Sequence, residues 1–184
     1  MTRIVGGSAG GRRLAVPATG TRPTSDRVRE ALFSRLEHRG VLDGAQVLDL
    51  YAGSGALGLE ALSRGAATAV LVDSSRTAVA VCRSNASTLG FADQVTVIPR
   101  KVEQLLMGHP PTRTSSVVFI DPPYELGVDK TLRLLMRPGW LAEGAVVVLE
   151  RSTRAGEPTW PDGLQPEGSK VYGETTLWFA DASG

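Results

Sequence analysis

Four apolar residues run into an acid, two prolines and an aromatic ring: Val117-Val118-Phe119-Ile120-Asp121-Pro122-Pro123-Tyr124. An unalternating apolar run rich in β-branched residues reads as a strand covered on both faces. Proline has no N–H to give and fixes φ, so a central strand cannot continue through Pro-Pro. The chain is thereby committed to a buried sheet in which this strand stops and hands a carboxylate, a rigid turn and a flat ring to the carboxyl edge. In open α/β sheets that edge is where ligands bind. These groups suit a planar amine. Asp121 can accept one N–H and the Pro122 carbonyl the other, while Tyr124 stacks on the ring system that carries the nitrogen. Two acceptors on the two hydrogens turn the nitrogen lone pair toward an electrophile.

The rest of the chain supplies such a sheet. From Val41 onward, strands at 47–51, 69–73, 95–98, 117–121 and 145–150 alternate with helices near 56–64, 75–89, 101–107 and 128–137. Repeated β-α-β units imply a parallel sheet with helices on both faces. Residues 153–168, rich in Pro, Gly and Glu, read as loop. Residues 170–172 and 175–179 then read as a hairpin across Gly173-Glu174.

Ahead of this repeat the pattern differs. Residues 3–16 read as two short strands around a glycine-rich turn, too small to be stable unless laid on something else. A helix from about 25 to 38 follows, capped by Thr24 or Ser25, with Val28, Ala31, Leu32 and Leu36 as its apolar stripe and Phe33 beside it. Arg22, Arg27, Arg29 and Arg35 are read as lying outside that stripe. Residues 1–39 carry +5 and the remainder −4, so a basic arm sits on a mildly acidic body and suits a polyanionic partner.

The second motif is Gly53-Ser-Gly55-Ala-Leu-Gly58 between a strand and a helix. Its glycines let backbone approach a ligand closely, and taken alone they fit dinucleotide-binding dehydrogenases equally well. Asp49, inside the preceding strand, gives a pyrophosphate site nothing but serves a ligand with a cationic ammonium. Asp73, at the end of the second strand, is placed to hold ribose hydroxyls in either case. Ala52, Ser54 and Ser74 complete the expected cofactor wall.

One cysteine and two isolated histidines leave no set of ligands for a structural zinc, so no metal is expected. No apolar run reaches the roughly 18–20 residues of a membrane span, and the N-terminus has no signal-peptide core, so a cytoplasmic protein is expected.

These motifs together resemble the class I S-adenosylmethionine-dependent methyltransferases, and more closely the bacterial RsmD family. The resemblance rests on Arg3-Ile-Val-Gly-Gly with Gly11-Arg12-Arg13-Leu, on Thr21 to Phe33, on Leu48 to Gly65, on Asp121-Pro-Pro-Tyr124 and on Lys170-Val-Tyr-Gly-Glu174. It implies a Rossmann-like α/β sheet of order 3-2-1-4-5-7-6 with the last strand antiparallel, preceded by a β-hairpin and helix. It divides the chain into an RNA-recognition segment (1–39) and an S-adenosylmethionine-binding catalytic domain (40–184). It implies methyl transfer to the exocyclic N2 of one guanine in 16S ribosomal RNA of the small subunit, by a monomer. Arg12, Arg13, Arg22, Arg27 and Arg29 become candidate RNA contacts. One departure stands out. Many such enzymes place an acid or Asn after the third strand to meet adenine, whereas this chain has Pro99-Arg100-Lys101-Val102, which makes Lys101 and Val102 the candidates there. Another base amine, or a protein glutamine amide, remains open as the acceptor, as do a nicotinamide oxidoreductase and an inactive RNA-binding factor.

Overall fold

The computed structural model describes residues 1–19, 23–123 and 126–184. Seven strands form the main sheet: β3 (Gln46–Leu50), β4 (Thr68–Asp73), β5 (Val95–Pro99), β6 (Ser115–Ile120), β7 (Leu141–Ser152), β8 (Leu164–Tyr172) and β9 (Thr175–Ala182). Their spatial order is β5-β4-β3-β6-β7-β9-β8. Counted from β3 this is the expected 3-2-1-4-5-7-6. The first five strands are parallel, and β9 runs antiparallel to both β7 and β8.

Side chains alternate across the sheet and feed two cores. On one face, Val47, Leu71, Val117, Phe119, Val148 and Phe179 pack under α1 (Asp26–His38), α2 (Ala56–Ser63) and α3 (Arg76–Thr88). On the other, Leu48, Leu50, Val118, Ile120 and Leu149 pack against α4 (Val102–Met107) and α5 (Asp129–Leu135). Burial on both sides explains why the central strands read as continuous apolar runs.

The tail corrects one expectation. Strand β8 begins at Leu164, so the last five residues of the segment read as loop are strand. Pro166 and Gly168 gave the loop signal, yet β8 is the sheet's edge, where a missing N–H costs no ladder bond. The register shifts between Pro166 and Gly168, and the bulge takes up Gly168 at φ 121°.

The N-terminal strands β1 (Thr2–Arg3) and β2 (Arg13–Leu14) pair antiparallel, only two residues each. Polar side chains fasten this hairpin to the body. The fully buried Glu60 accepts the N–H groups of Val5 and Gly6, each at 2.8 Å. Ser63 Oγ donates to the Gly6 carbonyl (2.6 Å) and accepts from Ala9 N (2.9 Å). Ile4, Ala9 and Leu14 join the first core. Helix α1 begins with Ser25 as its N-cap, and at its far end Arg39 grips Asp181 of β9 with two hydrogen bonds.

Candidate active site

Strand β3 ends at Leu50, and Tyr51 turns sharply away with φ 61°, the one positive φ among the described non-glycine residues. Such a backbone is uncommon outside glycine, Asn and Asp, and it persists where the surroundings enforce it. The Tyr51 hydroxyl shares a 3.0 Å hydrogen bond with Thr131, and Ala52 N donates to Val72 O. The turn then passes through Gly53 (φ 59°) and Gly55 (φ 81°) into α2.

The glycines divide the work. A Cβ on Gly58 would overlap Leu71, so this glycine lets α2 close on β4. A Cβ on Gly53 would meet nothing within 4 Å, because this stretch of backbone borders open space. Asp73 fixes the turn from the neighbouring strand, accepting Gly53 N through one oxygen and Ser75 N through the other, both at 2.9 Å. Ser75, not Asp73, caps α3. Asn85 of α3 ties the turn to the N-terminal arm by donating to the carbonyls of Ser54 and Ala15 and accepting from Ala15 N, each at 2.9 Å.

Two connected hollows open beside Gly53, of about 380 and 620 Å³, within the range of small-molecule sites. Tyr51, Gly53, Asp73, Ser74, Asp121 and Pro123 line both. The first also reaches Asp49, Ala52 and Ser54, and the second Lys101 and Val102. The topology thus brings together most of the cofactor and amine residues read from sequence; Gly55, whose side faces Leu59, Leu71 and Cys82, and the buried Pro122 line neither hollow, and Tyr124, like the expected RNA contact Arg22, lies outside the described residues. Sequence reading missed Tyr51 as a wall, and it missed Glu103. That acid stands in the second hollow two residues beyond Lys101 and pairs with Lys130 at 2.9 Å.

The carboxylates of the site carry distinctive electrostatics. Asp49 is 1 % exposed and accepts Gly58 N at 2.9 Å. Burial raises its pKa to about 7, against the lowering pull of that hydrogen bond, with the Asp73 charge adding to the rise. Asp121, one residue past β6, has its pKa raised well above the usual carboxylate range, first by burial and then by the charges of Glu150 and Asp49. Cys82, against the Gly53 carbonyl, is pushed up to about 12 by burial, so it stays a thiol and a packing residue. The Pro122 carbonyl accepts no hydrogen bond among the described residues, whereas that of Pro123 takes Leu126 N (2.9 Å).

Of the expected RNA contacts, Arg12, Arg13 and Arg27 are exposed, although Arg12 also donates to the Thr88 carbonyl. Arg29 is a correction. Its side chain is 1 % exposed, bonded to Asp26 at 2.6 Å, to the Arg3 carbonyl at 2.6 Å and to Glu60 at 3.5 Å. Position 29 precedes Leu32 and Phe33 by three and four residues, so it falls on the buried stripe of the helix and not beside it. A guanidinium spent in this way holds the arm in place; its Nε has no partner among the described residues, and the residue borders the first hollow and not the outer surface.

Comparison with known proteins agrees with this geometry. The family model described as Conserved hypothetical protein 95 matches residues 2–181. The chain is 40% identical to ribosomal RNA small subunit methyltransferase D of Escherichia coli, over 99% of this chain and 91% of that protein. It superposes on the solved structure of the Escherichia coli yhhF protein with a TM-score of 0.87 and 38% identity, covering 98% of this chain and 97% of that one. An RNA methyltransferase from Salinibacter ruber, solved with S-adenosyl-L-homocysteine, shares the fold at a TM-score of 0.64 and 20% identity, over 88% of this chain and 94% of that one.

Proposed function

The chain belongs to the RsmD family of methyltransferases, and from that premise we propose that it transfers a methyl group to the exocyclic N2 of one guanine in 16S ribosomal RNA. The observation that carries the reading is the shared wall. The acid that ends β6 lines the same two hollows as the glycine turn and Asp73, so an amine held at Asp121 lies within reach of a ligand held at Gly53.

The residues fit S-adenosylmethionine. Gly53 leaves room for a ligand against backbone, Asp73 retains lone pairs toward the hollow for ribose hydroxyls, and Asp49 lies in the wall where a cationic ammonium gains most. Lys101 and Val102, with Glu103 and Gln104, border the space for an adenine. When bound, S-adenosylmethionine supplies a methyl on cationic sulfur, so that an N–C bond forms as the C–S bond breaks and a neutral thioether leaves. The chain's own residues do the rest. Asp121 and the Pro122 carbonyl hold the two amine hydrogens, and Tyr124 stacks on the base, worth about 1–3 kcal/mol. Asp121, when ionised, is placed to take the proton released by the newly methylated nitrogen. Much of the rate comes from positioning.

The guanine must leave its stack to reach this edge, at a cost of a few kcal/mol. Arg12, Arg13 and Arg27 would meet the surrounding phosphates, with the segment 1–39 as the recognition arm and Arg22 as a further contact. The enzyme would act in the cytoplasm, as a monomer; among the described residues no helix is long and apolar enough to cross a membrane.

The test uses isotope-labelled S-adenosylmethionine with small ribosomal subunits from cells lacking this enzyme. Label recovered as N2-methylguanine at one position supports the proposal. Label in another nucleoside overturns the choice of amine, and label only in protein overturns the RNA substrate.

A further inference from the structure

Beside Asp121 lies a second acid that the reaction above does not use. Strands β6 and β7 pair in parallel with Phe119 opposite Val148 and Ile120 opposite Leu149. Continuing that register by one residue sets Asp121 beside Glu150, one strand spacing away (about 4.8 Å). Partners in register point to the same side of a sheet. Here that is the side of Phe119 and Val148, the face covered by α1. Thr24, just before α1, donates its hydroxyl to Glu150 Oε2 at 2.8 Å. Thr24 and Pro23 line both the hollow that holds Asp121 and a neighbouring one, of about 500 Å³, that holds Glu150.

Keeping two partly buried carboxyls side by side costs stability, since each disfavours ionisation of the other. Neither forms an ion pair among the described residues. Burial raises the pKa of Glu150, with Thr24 pulling the other way. A costly acid at a cavity wall, held by a dedicated hydroxyl, is the mark of a group that meets a ligand.

Guanine offers a matching edge. Its N2 amine and its N1–H are neighbouring donors on one side of the ring. Adenine and cytosine present a lone pair at the equivalent ring nitrogen. We infer that Glu150 accepts the N1–H of the target guanine while Asp121 holds its N2 amine, so that the carboxyl pair at the ends of β6 and β7 selects guanine. Thr24 acts as a positioning residue that aims the Glu150 carboxylate. The inference rests on the N2 reading above.

The test varies N1 and Glu150 together. Small subunits are reconstituted with 16S RNA carrying either guanine or 2-aminopurine at the modified position. The analogue keeps the amine but has a lone pair at N1. A site built to hydrogen-bond a group rejects the analogue lacking it, so the native protein should favour guanine by about 100-fold or more in kcat/KM. Glu150→Gln can donate its amide N–H to the N1 of the analogue, and the preference should fall to about tenfold or less. The loss of O6 in 2-aminopurine is common to both proteins and cancels in the comparison. Thr24→Val leaves the carboxylate in place but unaimed, and should reduce the preference by about tenfold, which keeps the idea testable if Glu150→Gln fails to fold. A preference unchanged in these variants, with N2-methylguanine still the product, overturns the role of Glu150 and leaves the N2 reading standing. A native product other than N2-methylguanine removes the N2 reading first, and this inference with it.

Discussion

Two groups of acids lie on the same side of the sheet and are treated in opposite ways. Around the arm, Asp26 and Glu30 of α1 and Glu60 of α2 are each met by arginine: Asp26 by Arg3 and Arg29, Glu30 by Arg64, and Glu60 by Arg29 and Arg64. At the carboxyl edge, Asp49, Asp73, Asp121 and Glu150 form no ion pair among the described residues. The titration follows the partners. The hydrogen bond from Arg3 leads the lowering of Asp26, and that from Arg64 the lowering of Glu30. Asp49, Asp121 and Glu150 are all raised, with burial the first cause each time. The contrast separates acids that build the protein from acids that await something. The edge cluster suits a ligand bearing an ammonium and a sulfonium, followed by a base that presents N–H donors.

The sharpest way to break this distinction is to remove the acid of α2 that holds the arm. Glu60→Ala strips one buried carboxylate from two backbone N–H groups and two guanidiniums. It should cost about 3–5 kcal/mol in denaturant unfolding, because buried charges and donors lose their partner. A loss below about 1 kcal/mol would mean that the arm is held mainly by Ile4, Ala9 and Leu14. The same network makes truncation of residues 1–20 a test of stability before it is a test of recognition.

At the edge, Asp73→Ala should leave the global fold standing and weaken S-adenosylmethionine binding by about 10–150-fold, the worth of a charged acceptor. Isothermal titration checks it, and unchanged affinity would return Asp73 to a purely local role as the clasp of Gly53 and Ser75.

The pH dependence is smaller in size but opposite in sign for the two groups. A carboxyl raised to about 7 in the folded state, against 3.8 as its ordinary value, binds a proton that the unfolded chain has already lost. Its effect on the free protein is therefore a loss of stability as pH climbs from about 4 to about 7. The lowered Asp26 and Glu30 do the reverse: their contribution is present above their ordinary values and lost as pH falls through the depressed ones. Asp49→Asn should flatten the fall of unligated stability between about pH 4 and 7, read as Tm. In the native protein, affinity for S-adenosylmethionine should rise over that window as Asp49 ionises to meet the ammonium. A Tm profile identical in the variant would show that Asp49 does not carry the effect.

How far the sequence could be read follows the same division. The glycine turn after β3 was legible because its determinants are local. A glycine turn between strand and helix, with acids at two strand ends, is a short-range pattern whose geometry follows from φ at Gly53 and Gly55. The Asp-Pro-Pro turn was legible because proline cannot continue a central strand. Arg29 was misread because its charge was weighed above its helical position, three and four residues ahead of Leu32 and Phe33. Glu150 was passed over because nothing around it in the chain marks it. Only the pairing of β6 with β7 sets it beside Asp121, some 29 positions away, and only α1 brings Thr24 over it. The edge strand β8 was half hidden by Pro166 and Gly168, whose loop signal holds for central strands and lapses at an edge.

The most direct test of the account is Asp121→Ala, measured for turnover, for S-adenosylhomocysteine binding and for stability on one preparation. The account predicts methyl transfer reduced by about 10²–10⁴-fold, a dissociation constant for S-adenosylhomocysteine within a few-fold of the native value, and an unligated protein at least as stable as the native one, since a buried acid beside Glu150 has been removed. Turnover kept near the native level would contradict the account at its centre, because the amine would then be held by something other than the acid that ends β6.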